Sequence, residues 1–213
     1  MILLIAVIPV VAQSPTDSLE GALQRSPADT GRVRTLNLLI RQFEYTDTAK
    51  AARYARESVA LSRKLQDTYG LAVAYRLSGI LAVDRSDLEE ASRLYDTAGQ
   101  LLSGQKDRGY QVQQALLLQN QSAVCQFREQ YRQAVTLCLD AATLLAGLHE
   151  ESYLFFCYNN LAVLYGYLED KTSSLKYAQA AYDISAKYHD PFRMGMAGIE
   201  LASTRMELNG MKE

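Results

Sequence analysis

Apolar residues recur along most of this chain at spacings of three and four residues, as in α-helices, and not in the alternation expected of strands. The segment "YNNLAVLYGYLEDKTSSLKYAQAAYDIS" (158–185) contains two such stretches joined by a short polar turn. No proline lies between Pro27 and Pro191, so the residue that most strongly interrupts helices is absent from this region. The pattern predicts an all-α chain.

The same unit recurs along the chain with a period of about 40 residues. Each copy carries a marker position inside its first helical stretch, which is a small residue in every copy except the first. The five markers are Ile40, Gly79, Ser122, Ala162 and Ala202. A second small position follows about twelve residues later in the first four copies, at Ala51, Ala91, Ala134 and Ser174. Facing small residues let two antiparallel helices approach closely, and stacking of successive pairs then buries their apolar faces.

This period divides the chain into four complete helix-turn-helix units and the first helix of a fifth. The predicted units are 30–67, 68–107, 108–148, 149–189 and the partial unit 190–213. In the second unit, Ser86 followed by Glu89 has the spacing of a capping box, which predicts that Ser86 is the N-cap of the second helix.

Residues 30–210 resemble the tetratricopeptide repeat family. The resemblance rests on "YRLSGILAVDRSDLEEASRLYDTA" (75–98), on "YNNLAVLYGYLEDKTSSLKYAQAA" (158–181) and on the weaker match "LQNQSAVCQFREQYRQAVTLCLDAA" (118–142). It implies an α-α superhelix of about four and a half repeats, whose first helices line a concave groove for an extended peptide or a partner helix. HEAT-type repeats, whose period is closer to that of this chain, are the structural alternative. The small-residue pairs favour the tetratricopeptide interpretation.

The resemblance also implies which side chains line the groove. These are Arg34, Asn37, Arg41, Arg76, Gln119, Phe156, Asn159 and Val163, with Met196 and Ile199 at matching positions of the fifth unit. Amide side chains both donate and accept hydrogen bonds, so they suit the backbone of an extended ligand, and Arg76 suits a carboxylate. A carboxylate clamp requires several cations and amides that converge, and only Arg41, Asn37 and Arg76 approach this arrangement. The alternative is that all these positions are merely solvated or half-buried helix faces.

Composition and charge narrow the class of protein. The 213 residues are 48% hydrophobic and 22% charged, which is typical of a folded domain with a sizeable core. The net charge is −2, and basic and acidic residues are interspersed. No strongly cationic segment of the kind that nucleic acids select stands out, so we expect no nucleic-acid binding.

The residues suited to catalysis are few. His149 and His189 fall at the same phase of successive repeats, in predicted turns, and no ligand set for a metal accompanies them. The three cysteines, Cys125, Cys138 and Cys157, form no C-x-x-C motif, and we expect them to be packed thiols. Phosphate-binding glycine loops and nucleophile elbows are missing. We therefore expect a protein that is not an enzyme and uses no metal or cofactor.

The N-terminus has a different composition. Residues 1–12, "MILLIAVIPVVA", are apolar and have the length of a signal-peptide core, and the small residues before Gln13 favour cleavage after Ala12. No Lys or Arg precedes this run, so the leader is atypical or the start codon lies upstream of Met1. The alternative is a buried N-terminal helix. Residues 13–29 carry Pro15 and Pro27 among polar residues, which predicts a linker with at most one short helical turn.

The segment 32–65, "RVRTLNLLIRQFEYTDTAKAARYARESVALSRKL", together with the leader and the long period, is similar to the exported sensor regions of bacterial two-component histidine kinases. This similarity implies a periplasmic signal-input segment, with kinase activity and any membrane attachment beyond residue 213. A free-standing exported adaptor that self-associates through an open C-terminal helix is one alternative. The N-terminal part of a repeat-containing transcriptional regulator is another. A chain whose leader is not functional would be cytoplasmic.

Overall fold

The structure is a computed structural model that describes residues 15–210, and its side-chain environments cover residues 18–206. Within this range the chain forms ten α-helices and no strand: α1 (Pro15–Arg25), α2 (Thr30–Phe43), α3 (Thr48–Leu65), α4 (Thr68–Asp84), α5 (Leu88–Leu102), α6 (Arg108–Phe127), α7 (Tyr131–Gly147), α8 (Glu151–Tyr167), α9 (Lys171–Lys187) and α10 (Pro191–Gly210). The predicted leader, residues 1–12, lies outside the described residues. No helix in the described part is long and apolar enough to cross a membrane.

The helices pair in sequence order and stack into an α-solenoid, as predicted. The first helices α2, α4, α6 and α8 pair with the second helices α3, α5, α7 and α9, and each pair lies within one predicted unit. Each second helix also packs against the first helix of the next unit. The first helices contact one another along the stack, whereas α3 and α5 do not pack together. The first helices therefore form the tighter, inner row, and the second helices form the wider, outer row.

Sharp turns within each pair and between pairs repeat along the stack. Six non-glycine residues in these turns have positive φ angles, between 50° and 61°: Gln66, Ser86, Glu129, His149, Glu169 and His189. The side chain of the next residue often caps the helix that follows, as Asp67 does by accepting a hydrogen bond from the Gly70 N–H. The N-cap of α5 is Asp87 and not the predicted Ser86, because Ser86 itself adopts the left-handed conformation that closes the turn.

Close approach of paired helices occurs at the marker positions. Gly79 on α4 faces the buried Tyr95 ring on α5, and the Ser122 hydroxyl donates to the Ala134 carbonyl 2.8 Å away. In α10 the marker Ala202 is exposed, while Leu201 is buried. The marker of the earlier units faces the second helix of its own pair, and no described helix occupies that place beside α10.

Residues 15–25 form helix α1, where the sequence predicted a linker. Proline is well tolerated in the first turn of a helix, because the N–H that it lacks has no partner there, so Pro15 begins the helix. Leu19 and Leu23 pack onto the core of the first unit. The Glu20 carboxylate accepts hydrogen bonds from the Tyr54 hydroxyl at 2.5 Å and from Lys50 Nζ at 3.3 Å. These contacts anchor α1 against the first helix pair.

Candidate interaction surface

The residues predicted to line a groove all lie on the first helices, but they differ widely in exposure. Arg34 and Arg41 on α2 are exposed. Four others are half-buried: Gln119, Phe156, Asn159 and Val163. Asn37 on α2 and Arg76 on α4 are buried. The predicted groove residues on the inner row of helices thus range from buried to exposed. The hydrogen bonds that each one already makes decide whether a ligand can bind it.

Asn37 is engaged inside the protein. Its side-chain N–H donates to the Gly70 carbonyl at 3.3 Å, and its Oδ1 accepts from the Ser58 hydroxyl at 2.7 Å. The amide therefore joins α2, α3 and α4. Because both ends of the amide are bonded and the residue is 8% exposed, Asn37 supports the first helix pair and is not available to a ligand in this conformation.

Arg76 is a buried cation without a carboxylate partner among the described residues. Its side chain is only 5% exposed. Its Nε donates to Gln113 Oε1 and its Nη1 donates to Asn120 Oδ1, each at 3.1 Å. Burial lowers the pKa of Arg76 to about 10, and the nearby positive charge of Arg41 acts in the same direction. The guanidinium is thus held at the α4–α6 contact by neutral amides, in an environment that favours an added negative charge.

Two carboxyl groups lie at the C-terminal ends of α2 and α4, near these cations. Burial raises the pKa of Glu44, and the Asp84 charge raises it further, whereas Arg41 and Arg76 lower it. Burial also raises the pKa of Asp84. Neither carboxylate forms an ion pair with Arg76 within the described residues. This end of the inner face therefore carries both cationic and anionic side chains, and they form no ion pairs with one another within the described residues.

Asn159 on α8 has a buried acceptor with no partner. Its Oδ1 atom is shielded from solvent and makes no hydrogen bond within the described part of the chain. A buried unsatisfied polar group costs roughly 1–3 kcal/mol. The atom is shielded from solvent, so a ligand N–H would bond to it, as the predicted amide ladder requires, only if the Asn159 side chain turned toward the inner face.

Phe156 packs against side chains of α8 and α10. Its ring packs edge-on against Phe155, with ring centres 5.2 Å apart, and the Arg193 guanidinium lies 4.7 Å from its centre. Met196 packs into the same cluster. Packing between α8 and α10 thus accounts for Phe156 and Met196 without a ligand.

Gln113 and Asn120 were not among the predicted site residues, although they hold Arg76 in place. They lie in the glutamine-rich run "QVQQALLLQNQ" (111–121), seven residues apart and therefore on one face of α6. Gln113 also donates to the Tyr69 hydroxyl at 3.3 Å, which extends the network back to α4. Their seven-residue spacing on one helix was the sequence feature that could have identified them as a pair.

The described residues contain no group of histidine, cysteine and carboxylate side chains suited to a metal ion. His149 and His189 lie in turns. The three cysteines are free and buried, and the Cys138 thiol donates to the Cys157 carbonyl at 3.3 Å.

No protein-family model and no curated protein matches the sequence. The structure is similar to that of BtubC (BKLC) from P. vanneervenii, with a TM-score of 0.74, 20% identity, and coverage of 92% of this chain and 85% of that one. It is also similar to a signal transduction ATPase with numerous domains and a tetratricopeptide repeat sensor from Pyrococcus horikoshii, with a TM-score of 0.66 and 12% identity. That match covers 92% of this chain but 35% of the Pyrococcus protein. At these identities the likeness establishes the fold, a helical-repeat solenoid.

Proposed function

We propose that this chain is a tetratricopeptide-type interaction scaffold that binds an extended peptide segment along its inner face and performs no catalysis. The observation that carries the proposal is Arg76, a guanidinium with no acidic partner in the described residues. Unlike the Asn37 amide, it keeps a donor group for a ligand, because its Nη2 forms no hydrogen bond there and is not fully shielded. Burying an unpaired charge is costly, and a ligand carboxylate at Arg76 would offset that cost through charge-assisted hydrogen bonds.

The spacing of the polar groups sets the length of the ligand. Arg76 lies on α4 and the unsatisfied Asn159 acceptor lies on α8, with α6 between them. Packed helices lie roughly 8–10 Å apart, so the axes of α4 and α8 are roughly 16–20 Å apart across the inner row. The Arg76 guanidinium reaches α6 and therefore lies closer to Asn159 than the two axes lie to each other. An extended peptide rises about 3.3 Å per residue. A segment of at most about six residues, with an acidic group at one end, therefore spans both positions.

The larger context that we propose is a signal-input segment of an exported bacterial sensor, with any kinase activity outside this chain. Its support is the resemblance of residues 32–65 to such regions, together with the apolar residues 1–12. The Pyrococcus protein, which has a similar fold, carries its repeats as a sensor. A free-standing exported adaptor and a transcriptional regulator remain the alternative contexts.

A peptide-display selection tests the binding proposal. Six- to eight-residue peptides selected on the wild-type protein should be enriched in Asp, Glu or a free C-terminal carboxylate. Their affinity, measured by calorimetry, should fall about tenfold or more in Arg76→Gln and in Asn159→Ala, since each loses one polar contact. The exposed Arg132 on α7 provides the matched control, Arg132→Gln. Peptides that bind both inner-face variants as tightly as the wild type would contradict the proposal.

A further inference from the structure

The outer row of helices contains a groove that is separate from the inner face. It lies between the second helices α3 and α5, which do not contact each other, and α4 contributes part of its lining. Its volume is about 370 Å³, within the usual range for ligand pockets. Tyr75 and Ser78 point into this groove, whereas the neighbouring Arg76 side chain contacts α6 on the inner side. One face of α4 therefore lines the outer groove, and the opposite face belongs to the inner row of helices.

The base of the outer groove is apolar. It is formed by short or aliphatic side chains, namely Ala52, Ala55, Val59, Leu81 and Leu94. Ala55 and Leu81 are buried, while Val59 and Leu94 are half-buried and so keep part of their surface open to a ligand. Small side chains on α3 leave this space between α3 and α5 open.

The rim of the outer groove is cationic. Arg56 and Arg63 project from α3, seven residues apart and therefore on one face, and Arg85 projects from the end of α4. None of the three forms an ion pair within the described residues. Arg63 donates to the Tyr75 hydroxyl, and its guanidinium lies 5.7 Å from the centre of that ring. The acidic residue at the rim, Glu90, is paired with Arg93.

The corresponding grooves further along the outer row lack this combination. The α5–α7 groove includes Arg128, but that side chain forms an ion pair with Glu89 at 2.6 Å, and Asp96 adds a negative charge. The α7–α9 groove is apolar and has one cation, Lys176, which lies 5.4 Å from the centre of the Tyr177 ring. An apolar base with several unpaired cations is thus a property of the first groove among these three.

We propose that the outer groove between α3 and α5 binds an acidic amphipathic helix of a partner protein. Its apolar side chains would contact Val59 and Leu94, and Asp or Glu on its flanks would pair with Arg56, Arg63 and Arg85. The groove follows α3 from Ala52 to Arg63, a rise of about 16 Å, which matches a helix of three turns. A nucleic-acid backbone would satisfy the cations but would leave the apolar base uncovered.

The first test uses a synthetic amphipathic peptide of about 16 residues, with Leu on one face and Glu on both flanks, labelled with fluorescein. We expect micromolar binding at low salt, with affinity falling as salt increases. The double variant Arg56→Glu/Arg63→Glu should lose about tenfold or more in affinity. The control Lys106→Glu/Arg132→Glu changes the net charge equally at exposed positions outside the groove and should bind as the wild type does.

A second variant tests the apolar base without changing charge. Ala60 lines the groove and is exposed, so Ala60→Trp fills the groove while leaving the fold intact. We expect it to weaken the peptide about tenfold. The same peptide with Lys in place of Glu should not bind. Arg76→Gln should leave this binding unchanged, which separates the outer groove from the inner-face proposal.

Three results would overturn the proposal. One is the absence of binding at millimolar peptide in low salt. Another is an equal loss in the groove variant and its charge-matched control, because that would mean diffuse electrostatic attraction. The third is tighter binding of a short DNA duplex than of the peptide, with loss of DNA binding in Arg56→Glu/Arg63→Glu but not in Ala60→Trp, because that would assign the cations to a phosphate backbone.

Discussion

Gly79 on α4 lies against the ring of Tyr95 on α5 so closely that a β-carbon at position 79 would overlap the ring. Tyr95 is 1% exposed, so its ring is almost completely removed from solvent. Burial also raises the pKa of Tyr95, as expected for a phenol enclosed in the core. The closest approach of the second helix pair therefore depends on the absence of a side chain at Gly79.

Gly79→Ala should therefore destabilise the protein, although alanine is the better helix former by about 1 kcal/mol. Overlap with an enclosed ring typically costs about 1–3 kcal/mol in a packed core, and this cost should exceed the helix preference. Urea denaturation measures the difference. Gly195→Ala in α10 is the matched control, because nothing lies within 4 Å of an added β-carbon there. It should leave stability unchanged or raise it by up to about 1 kcal/mol. Equal effects at both positions would contradict the packing explanation.

Asn37→Ala should lower the free energy of unfolding by about 1–3 kcal/mol, because it leaves the Ser58 hydroxyl and the Gly70 carbonyl without their buried partner. Chemical denaturation provides the measurement. Gln119→Ala is the control on the same row of first helices, and it should change stability by less than about 0.5 kcal/mol. If Asn37→Ala left stability unchanged but abolished binding of selected peptides, Asn37 would belong to the ligand site after all.

The helical period and the pairing of helices could be predicted because both depend on local pattern. Small markers such as Ser122 and Ala162 recur at a regular spacing, and each is buried where its helix approaches a neighbour. Helix α1 was missed because two prolines in a short polar segment resemble a linker, whereas Pro15 occupies a position that helices accept. Its stability comes from docking of Leu19 and Leu23 onto the first unit, a contact that local pattern does not reveal.

Which of the predicted site residues a ligand can bind could not be predicted from the sequence, for a different reason. Asn37 and Asn159 occupy the same repeat position, yet one amide is bonded at both ends and the other has a buried oxygen with no partner among the described residues. The difference arises from neighbours on other helices, such as Ser58 on α3. The partners of Arg76 likewise come from α6. Repeat position predicts the face on which a side chain lies, and tertiary contacts decide what it can bind.

Glu20 should make the docking of α1 depend on pH. The hydrogen bond from Tyr54 lowers the pKa of Glu20 below its ordinary value of 4.5, and Lys50 acts in the same direction. A lowered pKa in the folded state stabilises the protein above pH 4.5, and this contribution is lost as the pH falls through the folded-state value. Glu20→Gln should thus be less stable than the wild type at pH 7, by up to about 1 kcal/mol, because the pair is partly exposed.

The two proteins should converge in stability at acid pH, where Glu20 is protonated in both the folded and the unfolded state. Urea denaturation at pH 7, 5 and 3 follows this difference. Glu129→Gln, in an exposed turn, is the control, and its curve should parallel that of the wild type. A difference between Glu20→Gln and the wild type that stayed constant down to pH 3 would show that the carboxylate charge contributes nothing to docking.

Helix α10 carries an exposed apolar stripe, formed by Phe192, Ile199 and Met206. These residues lie seven apart and are 76%, 74% and 75% exposed. Large exposed apolar side chains on one helix face favour association, so we expect the apparent mass of the protein to rise with concentration in sedimentation velocity. Phe192→Ser/Ile199→Gln should abolish that rise while changing stability by less than about 0.5 kcal/mol. Tyr45→Ser, which removes an exposed aromatic ring at the end of α2, should associate as the wild type does. A wild-type protein that stayed monomeric at every concentration would exclude self-association through this stripe.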